Sequence, residues 1–297
     1  MPRRLRWYGL AASVAGTLLL VPALIAYRAY RSERAQLRAS PHPPRLSLSD
    51  FQIPGLRAVS FPSRTGALLQ GVYSPPTEKS HHAAVVLVHG SGGERSDLAP
   101  EAKLLADEGF GVLSFDLPGY GESPGQPSWD EPERQALRGA LDWLEQQPGV
   151  DPKRLGAFGF SMGGYLLAQV AATERRLQAV ALAGAPHDVV EHTRWEYRRW
   201  GPLSQWPALL AIRLSGMKLD EQVPVRVVGL IAPRALLVIG GGKDDAVPAW
   251  MTARLFEAAR EPKQLLIVAQ AGHGDYGAAP RERYAVPLLQ FFSRLSA

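Results

Sequence analysis

The sequence predicts an α/β domain built on a doubly wound, mostly parallel sheet. Short apolar runs rich in Val and Leu recur along the chain, each bounded by turn residues, as strands buried on both faces read. Helix-length segments of mixed polarity separate them, an alternation that demands right-handed crossovers. One run, Leu155–Phe160, leads straight into a serine between glycines, and a helix-competent stretch, Tyr165–Thr173, leads away from it.

Taken in order, the elements begin with Trp7–Tyr27, which contains no charged residue and is about as long as a helix needs to cross hydrocarbon. Arg3, Arg4 and Arg6 precede it, and Arg28, Arg31, Arg34 and Arg38 follow; Trp7, Tyr8, Tyr27 and Tyr30 stand at its ends. This pattern predicts one N-terminal transmembrane helix, with residues 1–38 as a basic-flanked membrane anchor. A signal peptide cleaved near Val21-Pro22-Ala23 and a buried core helix are the rival readings. The arginines nearly balance across the run; the simpler orientation puts the following domain on the extracytoplasmic side. Residues 39–50, rich in Pro and Ser, read as a linker, and 51–297 as the folded domain.

Leu56–Pro62 and Ala67–Ser74 read as an antiparallel lead-in joined at Arg64-Thr65-Gly66. The apolar runs Ala83–His89, Gly111–Asp116, Leu155–Phe160, Ala179–Gly184, Ala235–Gly240 and Gln264–Ala269 follow. Helices are expected at 99–108, 130–146, 162–173, 249–260 and 281–295. The interval 187–233 is about twice as long as a crossover needs and holds Trp195, Trp200 and Trp206. It is expected to form a small cap insertion rather than an irregular crossover.

Composition narrows the function. The 297 residues are 46% hydrophobic and 21% charged, which excludes a disordered chain and a polytopic membrane protein. With no cysteine, thiol nucleophiles, Cys-ligated zinc and iron–sulfur clusters are excluded. The net charge of +5 suggests nucleic acid only until it is divided. Residues 1–38 hold seven arginines and one glutamate, leaving 26 basic and 27 acidic residues beyond them. No nucleic-acid partner is expected.

Gly159-Phe160-Ser161-Met162-Gly163 sits where a strand turns sharply into a helix. Such a turn tolerates no side chain two residues before or after the serine, and it raises the hydroxyl above the sheet at a helix N-terminus. A serine needs a base, and the base an acid. Among seven histidines, His42, His81 and His82 precede the sheet in polar loops, His89 is placed to hold a loop, and His187 and His192 fall in the expected cap. His273, flanked by glycines after the last apolar run, is the candidate base. The acid is Asp244 or Asp245, after the run Ala235–Gly240. Asp116 and Asp188 also follow strands and are the lesser alternatives.

These motifs together resemble the α/β-hydrolase family over about residues 55–297. The matching elements are HGSGG at 89–93, DLPGYGES at 116–123, GFSMGG at 159–164, GGKDDAVP at 241–248 and AGHGD at 271–275. The stretch leading into GFSMGG looks most like the peptidase and dienelactone-hydrolase branch. The resemblance implies the α/β-hydrolase fold and a Ser161–His273–Asp244 triad, the acid being the first aspartate of the Gly-x-x-Asp-x-x-Val-Pro pattern. It also implies an oxyanion hole from the backbone N–H groups of Ser91 and Met162. The activity so implied is cleavage of an ester, thioester or amide through an acyl-enzyme, esterase-like before aminopeptidase or acyl-CoA thioesterase. A non-catalytic binding protein of the same fold is the competing class. Expected partners are a small-molecule, acyl or peptide substrate and the membrane; no cofactor and no metal are implied, and nothing bears on oligomeric state.

Overall fold

A computed structural model of the chain describes residues 20–38, 40–221 and 223–296. Two compact units are present: 20–37 with Val190–Met217, and the described residues of 38–189 and 218–296.

The larger unit carries an eight-stranded sheet. Its strands are β1 (Arg57–Pro62), β2 (Leu68–Ser74), β3 (Ala84–Val88), β4 (Gly111–Phe115), β5 (Leu155–Phe160), β6 (Leu177–Ala183), β7 (Ala235–Gly241) and β8 (Lys263–Val268). Their spatial order is β8-β7-β6-β5-β3-β4-β2-β1. The lead-in pairs antiparallel, β1 with β2 and β2 with β4, and the other neighbours are parallel. All five residues of β3, Ala-Val-Val-Leu-Val, are buried. Each such Val or Leu contributes about 1.5–3 kcal/mol when fully removed from water, and β-branched side chains suit the pleat.

Beyond residue 40 the described α-helices are α1 (Ala99–Asp107), α2 (Glu131–Leu144), α3 (Met162–Thr173), α4 (Val189–Glu196), α5 (Pro202–Leu214), α6 (Pro224–Val227), α7 (Ala249–Ala258) and α8 (Ala285–Phe292). Asp130 and Glu133 form a capping box that starts α2, satisfying backbone donors that the first turn leaves open. Its stripe Ala136, Leu137, Ala140, Leu141, Leu144 is buried. Nearly every residue of α3 is buried, so this helix is apolar all round, as a core helix must be. The expected helix 281–295 is broken up. Only Ala285–Phe292 is α-helical, with 3₁₀ turns at Asp275–Ala278, Arg281–Arg283 and Ser293–Leu295. Pro280 and Pro287 supply no N–H to a continuous ladder.

Residues 39–50 were expected to be a plain linker, but they include tied positions. Ser40-Pro41 pairs in parallel with Tyr120-Gly121. Arg45 meets Asp97 at 2.8 Å, and its backbone N–H donates to Glu94 Oε1 at 3.1 Å.

The smaller unit joins a helix over 20–36 to α5 and the greater part of α4. Ala29 and Glu33 are its buried positions on the N-terminal helix, and Gln36 Nε2 donates to Glu196 Oε1 at 3.1 Å. Burial, seconded by the Glu196 carboxylate, pushes the Glu33 carboxyl up to about 7. The expectation of a transmembrane helix, and with it an extracytoplasmic single-pass localisation, is corrected here. Among the described residues no helix is long and apolar enough to cross a membrane. Residues 1–19, which hold most of the apolar run, lie outside the described residues. The described remainder carries Arg28, Arg31, Glu33 and Arg34 and engages Glu196 through a polar side chain, an arrangement hydrocarbon would penalise.

Candidate active site

Ser161 occupies the turn between β5 and α3 with φ 53° and ψ −118°. A non-glycine residue at positive φ is held there against its own preference. Two ladder-like bonds do the holding: Ser161 N–H to Ala183 O at 2.8 Å, and Tyr165 N–H to Ser161 O at 3.0 Å. The flanking glycines are demanded by contact. A Cβ on Gly159 would stand 2.6 Å from the Gly163 carbonyl oxygen, and one on Gly163 would collide with the Val88 carbonyl.

His273 follows β8, and Asp244 follows β7. The imidazole Nδ1 lies 2.8 Å from Asp244 Oδ2, and Nε2 lies 3.0 Å from Ser161 Oγ. The network assigns one tautomer: Nδ1–H donates to the carboxylate, which leaves Nε2 to accept the serine O–H. Asp244 is 5% exposed, and its Oδ1 accepts the Val247 N–H at 2.7 Å. The carboxylate is thus fixed from both oxygens. Asp245 is exposed. The Phe160 ring packs on the imidazole with centroids 4.8 Å apart. Phe160 and Gly274 also line an adjoining cavity of about 340 Å³, walled by Leu98, Pro100 and Tyr276.

The glycine-rich loop at 89–93 is pinned at its root. His89 is wholly buried; its Nδ1 lies 2.7 Å from Gly90 O and its Nε2 accepts the Leu117 N–H at 3.0 Å. Burial pulls its pKa down, against the Gly90 bond. Asp116, considered as an alternative acid, is committed elsewhere: it accepts the Arg95 N–H at 2.7 Å and pairs with the Arg95 guanidinium. Burial pushes its carboxyl up, and the backbone N–H groups of Glu122 and Arg95 pull it back.

Sequence reasoning passed over Tyr120. Its ring stacks edge-on with His89 at 5.3 Å, and its hydroxyl donates to Met162 Sδ at 3.4 Å. Its only signal in the sequence is its place in DLPGYGES, where it reads as a turn residue. Among the described residues, no cluster of three or more His, Asp or Glu is disposed to hold a metal ion.

A parallel sheet topped by a strained serine beside an imidazole and a buried carboxylate is the layout of a hydrolase. A family model for the alpha/beta hydrolase fold matches residues 83–211. An uncharacterised protein of Mycobacterium tuberculosis (strain ATCC 25618 / H37Rv) is 34% identical over 224 residues, 75% of this chain and 74% of its own length. The uncharacterised YfhR of Escherichia coli (strain K12) is 26% identical over 250 residues, 78% and 82% of the two chains. Among solved structures, the Pyrococcus furiosus esterase Pf2001 superposes with a TM-score of 0.71 at 17% identity, covering 88% of this chain and 98% of that one. The 2,6-dihydroxy-pseudo-oxynicotine hydrolase follows at 0.65 and 19%, covering 82% and 69%. Identities this low speak for the fold alone. The chain belongs to the α/β-hydrolase family and is a hydrolase.

Proposed function

We propose that the protein is a serine hydrolase that cleaves a carboxylic ester, thioester or amide, with esters of small acids as its preferred class. The observation that carries the reading is the unbroken hydrogen-bonded line from Asp244 through His273 to Ser161. In this mechanism Ser161 Oγ attacks the carbonyl carbon while His273 Nε2 takes the hydroxyl proton. Asp244 holds the imidazole and stabilises the imidazolium that forms. The tetrahedral oxyanion is received by the backbone N–H groups of Ser91 and Met162. Collapse expels the alcohol, thiol or amine, which leaves with the proton from Nε2. Water then enters, gives its proton to His273, and releases the acid from the acyl-enzyme. The cavity beside Phe160 is the proposed seat of a small acyl or alcohol substituent.

Labelling by a fluorophosphonate tests the reading. Covalent modification at Ser161 and its absence in Ser161→Ala are expected; an unlabelled wild-type protein would leave a non-catalytic binding protein as the better account. A panel of p-nitrophenyl esters of rising chain length, an acyl-CoA and aminoacyl amides then separates esterase from thioesterase and aminopeptidase.

A further inference from the structure

We infer that the groove lined by α4 and α5 is a binding site for a dissolved medium-chain carboxylate. The site belongs to the smaller unit, whereas Ser161, Asp244 and His273 belong to the larger one, so the inference does not rest on the serine-hydrolase reading.

α5 is apolar on two sides. Ala208, Ala211 and Ile212 are buried. Leu203, Trp206, Leu210 and Leu214 lie exposed, Trp206 by 75%. Their steps of three, four and four residues set all four on one helix face. A helix that merely covers a core gives its outer face to polar and charged side chains. A continuous apolar stripe in that place marks contact with a further molecule.

The stripe borders a cavity of about 490 Å³ lined by Arg194 of α4 and by Trp206, Pro207, Leu209, Leu210 and Arg213 of α5. Trp206, Leu209, Leu210 and Arg213 recur at i, i+3, i+4 and i+7, a wall two turns or about 11 Å long. Side chains of α5 hold the preceding segment in place. Gln205 Nε2 donates to Arg194 O at 2.9 Å, and the Ser204 hydroxyl donates to Tyr197 O at 2.7 Å.

The lining carries two cations and no acid. Nearby charges are already engaged: Arg198 lies 3.8 Å from the centre of the Trp195 ring, Arg199 lies 5.6 Å from that of Trp200, and Glu196 accepts from Gln36. Among the described residues, the Arg194 and Arg213 guanidinium groups have no ion pair, hydrogen bond or ring partner. A guanidinium fork matches a carboxylate in shape and charge. Unpaired cations beside apolar walls call for an amphiphile with an anionic head and an apolar tail. An extended tail of about ten carbons covers the two-turn wall, and the cavity is of a size that takes one small molecule.

Isothermal titration of the full-length protein with decanoate, below its micelle concentration, should show one saturable site. Decanol, equally long and uncharged, should bind about tenfold more weakly. Arg194→Gln and Arg213→Gln should each weaken decanoate about tenfold and leave decanol unchanged, a split that loss of packing would not produce. Trp206→Ala should weaken both ligands alike, and all three variants should keep the wild-type melting temperature. Prior treatment with a fluorophosphonate should leave decanoate binding unchanged; its abolition would move the site to Ser161 and overturn the inference. Equal affinities for acid and alcohol in every variant would overturn it too. So would a full-length protein that takes up no decanoate, or one that associates only with vesicles of phosphatidylglycerol.

Discussion

His273 Nδ1 lies 2.8 Å from Asp244 Oδ2, whereas Asp245, the next residue, is exposed. Two chemically identical neighbours are thereby set to different tasks by the turn that follows β7. Asp244→Asn is expected to lower kcat by about 10⁴, because the amide no longer favours the tautomer that leaves Nε2 free. Asp245→Asn is expected to cost far less than tenfold. Steady-state kinetics on one p-nitrophenyl ester checks both, and reversed magnitudes would move the acid by one residue.

Gly163→Ala is expected to destabilise the fold by about 2–3 kcal/mol, since its new methyl meets the Val88 and His89 carbonyls, which belong to β3 and its exit and cannot swing aside. Gly149, at φ 80° with open space around it, is the control. Alanine there carries only the strain of the left-handed region, about 1 kcal/mol. Urea unfolding of the two variants should rank them in that order.

How far the sequence disclosed this site depends on how local each signal is. The strands were readable because β3, β5 and β6 are buried on both faces, so their residues are apolar without alternation. Ser161 was readable because the steric demand on Gly159 and Gly163 is written within five residues. The choice between Asp244 and Asp245 was not readable from the residues themselves and came from the family resemblance, since the histidine that Asp244 meets lies 29 positions away. Tyr120 was missed because its partners, His89 and Met162, are remote in the chain and its own neighbours suit a turn. The expected anchor came from the apolar run with its flanking arginines and end aromatics, a pattern that does not register that Gln36 meets a residue 160 positions on.

Arg95→Ala is expected to cost about 3–5 kcal/mol, because it strips the guanidinium from Asp116, whose side chain has no exposure. The same variant should lose ester hydrolysis, as the Arg95 amide and Asp116 together anchor the loop that carries Ser91. Thermal unfolding separates the two effects: a protein that keeps its melting temperature would contradict the assignment of Asp116 to this pair.

Glu33 gives a pH dependence opposite to that of a salt-bridged acid. Its carboxyl is raised to about 7 in the folded protein, against 4.5 ordinarily, so the folded state binds this proton more tightly than the unfolded one. Stability from this position is greatest below about pH 4.5 and declines as pH rises through 7, by about 3 kcal/mol in all. Hydrogen-exchange protection over residues 20–37, taken relative to the intrinsic exchange rate at each pH, should be greater at pH 5 than at pH 8, and Glu33→Gln should erase the difference.

The ladder between β6 and β7 runs from Ala179 opposite Ala235 to Ala183 opposite Ile239, although a long interval of chain separates those strands. That interval adds no strand to the sheet. The serine, the carboxylate and the imidazole hang from the ends of β5, β7 and β8, and their mutual distances are kept by backbone bonds that the interval neither makes nor breaks. A change of length in that segment need not alter the register in which β6 meets β7.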